Sequence, residues 1–309
     1  MKTILIAGGT GFIGRQLAAE LAELGYQLRI LFRNKIDVAT GHPNINYFQW
    51  DPSAEYIDSQ ALKGVDVIIN LTGANIGDKP WTNKRKKELY DSRILTTRLL
   101  HRHIKKLNIE LELYIGSSAT GYYGMVTSEH LFTETDPPEN DFLGQLVQDW
   151  EDESLKFSNC AKRVILFRKG VVLGPSGGML KKLKPLASLC INTQLGDGTN
   201  YLPWISLKDL IRSYIFSIEN RSISGVFNLV SSEHIQQKEL CQQLAKSLNR
   251  PILTPAVPVW ALKLIFKELA NLLTKGSRVS NEKLLKNNFS IKDNSLARVF
   301  INNIQQDKP

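Results

Sequence analysis

The chain has 309 residues, of which 42% are apolar, 22% are charged and 8% are aromatic. This composition is typical of a globular protein and excludes the disordered, fibrous and disulfide-stapled classes. The formal net charge of +9 at pH 7 permits an anionic partner, although a basic surface is also common in proteins without one.

The cysteines and the apolar runs bear on the cellular compartment. Cys160, Cys190 and Cys241 are far apart in the sequence, so they predict neither a zinc cage nor a disulfide framework, and they fit a reducing environment. No apolar run approaches the roughly 18 residues needed to cross a bilayer. The glycines from Gly8 onward interrupt the apolar start too early for a signal peptide. We therefore expect a cytoplasmic protein with no membrane partner.

Strand and helix patterns alternate through the first half of the chain. Nearly continuous apolar strands separated by amphipathic helices are typical of a parallel sheet with helices on both faces. A further strand at 225–229 follows a helix at 207–219, and we expect it to return to the sheet. The six strands predicted before it are 4–7, 28–32, 45–48, 65–71, 111–115 and 164–167, and the longer helices are 12–24, 82–107 and 142–157.

The strongest functional signal is a glycine-rich segment, GGTGFIG, that follows the first strand and opens a helix. Its glycines at 8, 11 and 14 form a G-x-x-G-x-x-G variant of the dinucleotide-binding fingerprint. One glycine permits the tight turn, one lets the backbone approach the pyrophosphate, and one lets the helix pack on the strand. The helix N-terminus adds free N–H groups and a positive dipole end. The residues that we expect to bind the cofactor here are Gly8, Thr10, Gly11, Phe12, Ile13 and Gly14.

The end of the second strand bears on which nicotinamide cofactor binds. An NAD site has an acidic residue about 20 residues after the glycines, where it accepts from the ribose 2′-hydroxyl. Arg33 and Asn34 stand there instead, and an arginine holds a 2′-phosphate through charge-assisted bonds. We therefore predict NADP(H), with NAD(H) as the alternative because surface arginines are common and Asp37 is close by. Asp51, after the third strand, is a candidate acceptor for the adenine amino group or a plain turn residue.

The strand–helix alternation stops after Gly174-Pro175, and the pattern is mainly helical from residue 233 onward. We predict a dinucleotide-binding domain made of residues 1–170 with 207–230. A smaller, mainly helical substrate-binding lobe is predicted for residues 171–206 with 231–309.

Further motifs extend along almost the whole chain. They are Gly8–Gly14, Asn70–Gly73, Pro80–Thr82, Ser92-Arg93, Gly116–Gly124, Asp149–Glu151, Arg168–Pro175, Trp204–Asp209 and Arg250–Phe289. In combination they resemble the short-chain dehydrogenase/reductase superfamily, in its extended NAD(P)-dependent epimerase/dehydratase branch, and within it a subgroup of sugar-nucleotide epimerases. The resemblance implies an α/β fold with a Rossmann doubly wound parallel sheet and a smaller C-terminal substrate lobe. It also implies that Leu71, Thr72 and Gly73 lie along the cofactor.

The usual proton-transfer pair of this superfamily is missing. Its chemistry relies on a Tyr-x-x-x-Lys pair, in which the lysine lowers the pKa of the tyrosine and binds the ribose. None of the nine tyrosines has a lysine four residues later. By spacing from Glu151, the tyrosine would fall near Phe142 or Leu143 and the lysine near Val147. The subgroup also tends to lack the pair.

Three residues after the fifth strand are the remaining catalytic candidates. Ser118 matches the position of the superfamily's catalytic serine, and it follows a strand where a parallel sheet exposes functional loops. Tyr122 and Tyr123 come close behind it and are candidates for the phenol. The other interpretation is that these residues pack or position the ribose.

Most of the net charge is concentrated in one segment. Ten Lys/Arg and three Asp/Glu between Asp78 and Lys106 contribute +7 of the total. A solvated helix face explains such a segment. The functional alternative is that Lys79 or Arg93 helps to hold phosphates of the cofactor or substrate.

Two functions remain open. The first is an NADP(H)-dependent oxidoreductase or epimerase that acts on a nucleotide sugar or another anionic small molecule. The second is a non-catalytic NADP(H)-binding protein with a redox-sensing or regulatory role, which the missing pair favours. We predict no metal site, because the histidines do not cluster with cysteines or carboxylates. We also predict no nucleic-acid partner, because the basic residues are not interleaved with stacking aromatics. The sequence indicates no oligomeric state.

Overall fold

Strands and helices alternate along a computed structural model that describes residues 2–33, 42–175 and 177–305. The described strands are β1 (Thr3–Ala7), β2 (Gln27–Phe32), β3 (Ile45–Asp51), β4 (Tyr56–Ile57), β5 (Val67–Asn70), β6 (Leu113–Ala119), β7 (Leu131–Phe132), β8 (Val164–Lys169), β9 (Val171–Gly174), β10 (Trp204–Ser206), β11 (Gly225–Leu229) and β12 (Arg278–Val279). The described helices are α1 (Phe12–Glu23), α2 (Asn83–Lys106), α3 (Phe142–Leu155), α4 (Gly178–Ser188), α5 (Leu207–Glu219), α6 (Gln237–Ser247), α7 (Val259–Phe266), α8 (Leu269–Thr274), α9 (Glu282–Lys286) and α10 (Leu296–Gln305).

One large sheet contains eight of the described strands in the order β11–β8–β6–β5–β1–β2–β3–β4. Its pairings are parallel except that between β3 and β4. All seven strands predicted from the sequence lie in this sheet, so the expected α/β class with a Rossmann-like parallel sheet is confirmed. The strand order changes direction at β1, which lies between β2 and β5. Ligands bind such sheets beyond the carboxyl ends of the strands at this point.

Each strand contributes alternate side chains to apolar layers on the two faces of the sheet. On one face, Ile4 packs with Leu17 of α1 and Leu210 of α5. On the other face, Leu5 packs with Leu100 of α2. Because both faces are buried, the strands lack the polar alternation of a half-exposed sheet, and this explains their nearly continuous apolar sequence.

Capping residues set the starts of the three longest helices. Thr82, Asp141 and Ser206 stand before α2, α3 and α5, and the side-chain oxygen of each accepts a backbone N–H from the first turn. These helices begin and end within about two residues of the predicted bounds. None of the described helices combines the length and the apolar character that a membrane crossing requires.

A second apolar core lies outside the large sheet. It combines side chains from β9, α4 and β10 with others from α6 and α10, among them Leu173, Trp204, Leu240 and Phe300. These residues belong to the segments predicted to form the substrate lobe. The division of the chain into two domains stays a prediction.

Five short strands were not predicted, namely β4, β7, β9, β10 and β12. Strand β9 pairs with β10 and β7 pairs with β12 in two small parallel pairs. Each of the five has only two to four residues, which is too short to show a period-two pattern. The β7–β12 pair joins the loops after β6 to the C-terminal part of the chain.

Candidate functional site

The glycine-rich turn joins β1 to α1 at the carboxyl edge of the sheet. Gly8 has a φ of +82°, in the left-handed region that glycine favours, and its carbonyl accepts the N–H of Gly11 at 3.1 Å. A Cβ on Gly14 would lie 2.3 Å from the carbonyl oxygen of Gly8 and 2.6 Å from the Cα of Gly9. A side chain at position 14 therefore does not fit, and the helix start is held directly against the end of the strand.

The first turn of α1 offers a binding place for an anion. Its N-cap, Gly11, makes no side-chain hydrogen bond, and the turn contains no acidic residue. The N–H groups of such a turn have no partner within the helix and carry the positive end of its dipole. Thr10, Phe12 and Ile13 are partly exposed here. Phe12 packs on Gly177, where a Cβ would meet its ring at 2.3 Å. This cradle fits the diphosphate of a dinucleotide.

The loop after β5 lies beside the glycine-rich turn. The N–H of Leu71 donates to the carbonyl of Ala7 at 2.8 Å, and a Cβ on Gly8 would meet the Leu71 backbone at 2.9 Å. The Thr72 hydroxyl is buried and bonds to the last residue of β5 at 2.6 Å. Gly73 is exposed. The structure thus brings Leu71 to the turn, with Thr72 and Gly73 next in the same loop, and the contact of these three residues with a cofactor stays a prediction.

The predicted adenosine-binding residues lie at the ends of β2 and β3. Arg33 follows β2 and is exposed. Asp51 ends β3, and its carboxylate accepts the N–H and the hydroxyl of Ser53 at 2.9 and 2.6 Å. These bonds, with a smaller contribution from the Arg33 charge, lower the pKa of Asp51. Asp51 therefore makes a turn contact and lies near Arg33, whereas Asn34 and Asp37 lie outside the described residues.

Ser118 lies near the carboxyl end of β6 in a buried polar network. Its hydroxyl donates to Glu151 of α3, and Arg168 of β8 donates two bonds of 2.8 Å to the same carboxylate. These three residues are 1%, 5% and 3% exposed, respectively. Because one carboxylate both neutralises the arginine and accepts the hydrogen bond of the serine hydroxyl, the network holds β6, β8 and α3 together.

The two candidate tyrosines have different surroundings. Tyr123 is buried; its hydroxyl accepts from Arg168 at 3.0 Å and donates to Asn228 at 2.7 Å, and burial raises its pKa to about 12. Tyr122 is partly exposed, and the Arg168 guanidinium lies 3.4 Å from its ring centre. The Tyr122 hydroxyl makes no hydrogen bond to the described part of the chain. Of the two, Tyr122 keeps a free phenol.

Apolar side chains stand where spacing from Glu151 predicts the superfamily's tyrosine, near Phe142 or Leu143, and its lysine, near Val147. Leu143 and Val147 of α3 are buried in a cluster with Trp81 and Leu89. A Cβ on Gly121 would lie 2.7 Å from Leu143. Neither α3 residue carries a group that transfers a proton, so any proton transfer here needs a different side chain.

Two cations near the carboxyl edge have no acidic partner among the described residues. Lys169 ends β8 and donates to the Ser117 hydroxyl at 2.7 Å; burial and the Arg93 charge lower its pKa to about 7. Arg93 of α2 donates to the carbonyls of Leu89 and Ala74, and burial lowers its pKa to about 10. Arg93 was a candidate from the sequence, whereas Lys169 was not. The available signal was a lysine at the carboxyl end of an apolar strand.

Five other cations of α2 are paired with acidic residues. The ion pairs are Arg85–Glu88, Lys86–Glu268, Lys87–Asp91, Arg98–Glu153 and Arg102–Glu55. A solvated face accounts for Lys87, Arg98 and Arg102, whereas Arg85 is buried. Lys79 is exposed in the loop before the helix. Arg93 differs from them because its guanidinium lies against Gly73, where a Cβ would be 3.2 Å from it.

Within the described ranges, no group of three or more histidine, cysteine, aspartate or glutamate side chains is arranged to hold a metal ion.

Sequence comparisons agree with this geometry. Residues 4–229 match the model of the NAD dependent epimerase/dehydratase family, and residues 257–298 match a domain of unknown function, DUF1731. An epimerase family protein of Mycobacterium leprae is 35% identical over 270 residues, which cover 87% of this chain and 84% of that protein. An epimerase family protein of Staphylococcus aureus is 33% identical over 298 residues, which cover 96% and 97% of the two chains.

Two solved structures show the same architecture. The human epimerase family protein SDR39U1 (isoform 2) with NADPH superposes with a TM-score of 0.86 at 25% identity, covering 98% of this chain and 99% of that chain. The UDP-glucuronic acid 4-epimerase from Bacillus cereus, in complex with UDP-glucuronic acid and NAD, superposes with a TM-score of 0.79 at 18% identity, covering 98% and 99%. The second likeness concerns the fold alone. The resemblance to the epimerase/dehydratase branch is confirmed, and the chain belongs to the NAD dependent epimerase/dehydratase family.

Proposed function

We propose that this protein binds NADP(H) and acts as an oxidoreductase or epimerase on a nucleotide sugar or another anionic small molecule. The observation that carries the proposal is the glycine-rich turn, in which position 14 has no room for a Cβ and no side chain caps the α1 N-terminus. The NADPH of the human relative and the UDP-glucuronic acid and NAD of the B. cereus enzyme support it. A bound nicotinamide supplies hydride transfer, while the chain holds the reactants and moves the proton.

The strand order suggests how the chain divides this task. The first turn of α1 would hold the diphosphate, with the adenosine half toward β2 and β3, where Arg33 and Asp51 stand. The nicotinamide half would then lie toward β5 and β6, near Gly73. The substrate would lie between this edge of the sheet and the C-terminal segments.

The preference for NADP(H) is tested by reversing the charge at Arg33. We expect Arg33→Asp to weaken NADPH binding by about 10- to 100-fold, because a charge-assisted bond of about 1.5–3 kcal/mol to the 2′-phosphate becomes a repulsion. NADH binding should change little. The measurement is a titration of both nucleotides followed by fluorescence or thermal shift, with Arg250→Asp as a control at an exposed arginine elsewhere. Wild-type preference for NADH, or an unchanged preference in Arg33→Asp, would show that the assignment of Arg33 is wrong.

Catalytic roles are proposed for Ser118 and Tyr122, with Tyr123 as a buried bridge between Arg168 and Asn228. The free phenol of Tyr122 supports its role as the proton-transfer group. With NADPH or NADP+ and a library of nucleotide sugars and carbonyl compounds, turnover should fall by about 10²- to 10⁴-fold in Tyr122→Phe and should also fall in Ser118→Ala. Tyr56→Phe, at an exposed tyrosine, is the control for loss of a surface hydroxyl.

One observation favours a second function, a non-catalytic NADP(H)-binding protein with a redox-sensing or regulatory role. Leu143 and Val147, near the positions that spacing predicts for the tyrosine and the lysine, are buried in apolar packing. Tight NADPH binding without turnover of any compound in the library would support this function over the enzymatic one.

A further inference from the structure

The unpaired cations Lys169 and Arg93 lie on either side of the carboxyl end of β6. Lys169 ends β8 and stands in register with Ala119, the last residue of β6. Arg93 lies beside Gly73, in the loop that follows β5. Strand β6 lies between β5 and β8, so both cations reach the half of the edge that the proposed function gives to the nicotinamide and the substrate. Both residues keep part of their surface exposed.

The described surroundings of Lys169 supply no negative charge. The Lys169 ammonium donates to the Ser117 hydroxyl of β6, and the positive charge of Arg93 on α2 lowers the pKa of Lys169. Tyr214 of α5 is also nearby, and burial raises its pKa, so its hydroxyl stays neutral. The adjacent Arg168 is already paired with Glu151. Placing a positive charge on Lys169 beside Arg93 carries a cost in free energy, and an anion near both side chains removes it.

We propose that Lys169 and Arg93 form an anion-binding subsite, which takes a carboxylate or phosphate group of a bound ligand and gains a proton at Lys169 as it does so. This inference rests on the proposed function, because it requires a nucleotide in the cleft. The anionic group belongs either to the cofactor or to the substrate, and the two sources share the same chemistry.

Proton uptake follows from the direction of the pKa change. Lys169 with a pKa of about 7 is largely neutral at pH 8, and a neighbouring anion raises its pKa and protonates it. Arg93, with a pKa of about 10, stays charged between pH 6 and 9. Affinity for the anion is therefore highest below pH 7 and falls as the pH rises. Because binding takes up at most one proton, the affinity falls by at most about tenfold for each pH unit above 7.

The test is calorimetric titration at pH 8 in HEPES and in Tris, whose different ionisation enthalpies reveal proton uptake. One arm adds NADPH to the protein. The second arm adds UDP-glucuronic acid or UDP-glucose to the NADPH-loaded protein, since these two compounds differ by one carboxylate. Proton uptake in the first arm, on addition of NADPH, identifies a cofactor phosphate as the anion. In the second arm, uptake with UDP-glucuronic acid but not with UDP-glucose identifies a substrate carboxylate. Uptake with both sugar nucleotides identifies the substrate diphosphate.

Variants show whether the proton goes to Lys169. Lys169→Met should lose the uptake, and Lys169→Arg should keep the affinity but lose its dependence on pH. The exposed Lys63→Met should behave as wild type, and equal thermal unfolding of these variants confirms that they are folded. Suppose that NADPH binds to the wild type, but that Lys169→Met takes up as many protons as the wild type in both arms. The subsite is then refuted while the proposed function stands. If no nucleotide binds to the wild type, the proposed function fails and the subsite fails with it.

Discussion

Replacing Gly14 by alanine is expected to abolish the cofactor site. The new Cβ would lie 2.3 Å from the carbonyl oxygen of Gly8, far inside van der Waals contact, so α1 must move away from the end of β1. The first-turn N–H groups then lose their positions against the diphosphate. Charge-assisted bonds of this kind contribute about 1.5–3 kcal/mol each, so we expect NADPH binding to weaken by about 100-fold or more.

The control for this change is another glycine-to-alanine substitution. Gly77 lies in the loop before α2, and a Cβ there would meet its nearest neighbour only at 3.8 Å. Gly77→Ala should therefore bind NADPH as the wild type does. Fluorescence titration of the two variants gives the comparison, and circular dichroism shows whether Gly14→Ala is folded. Unchanged NADPH affinity in a folded Gly14→Ala would place the nucleotide away from this turn.

The second large effect is expected on stability, at the buried ion pair between Glu151 and Arg168. Glu151→Gln removes the negative charge that neutralises a guanidinium only 3% exposed, and the two bonds of 2.8 Å lose their ionic character. Breaking one side of a buried pair costs about 3–5 kcal/mol, because the remaining charge is left uncompensated. We expect a fall of this size in the free energy of unfolding, measured by urea denaturation.

Two further variants separate the loss of charge from the loss of packing. The double variant Glu151→Leu with Arg168→Met removes both charges and should be more stable than Glu151→Gln. Glu55→Gln breaks the exposed ion pair with Arg102 and should leave the unfolding curve unchanged, since solvent screens that pair. A Glu151→Gln variant as stable as the wild type would contradict the structural importance of the network.

The sequence predicted the parallel sheet because a strand buried on both faces leaves a nearly continuous apolar run. Pairs such as β9–β10 and β7–β12 leave no such run. The strand expected over 111–115 extends instead to Ala119. Its polar end, Ser117 and Ser118, is accommodated because the hydroxyls meet Lys169 and Glu151, and these partners depend on strand order rather than on local sequence.

The candidate site was predictable where backbone geometry dictates the residue type. Gly8 and Gly14 are required by a positive φ and by a close contact, so their spacing between an apolar strand and a helix identifies the turn. The pairing of Arg168 with Glu151 and the contact of Lys169 with Ser117 join residues 17 and 52 positions apart. Such contacts form only when β6, β8 and α3 pack together, so the pattern of apolar residues in the sequence does not predict them.

A crystal structure of the wild-type protein grown with saturating NADPH is the most direct test of cofactor binding. We predict the diphosphate on the first-turn N–H groups of α1, the 2′-phosphate at Arg33 and the nicotinamide beyond the carboxyl ends of β5 and β6. Crystals without nucleotide at saturating NADPH, or a diphosphate bound away from the α1 N-terminus, would contradict the proposed site.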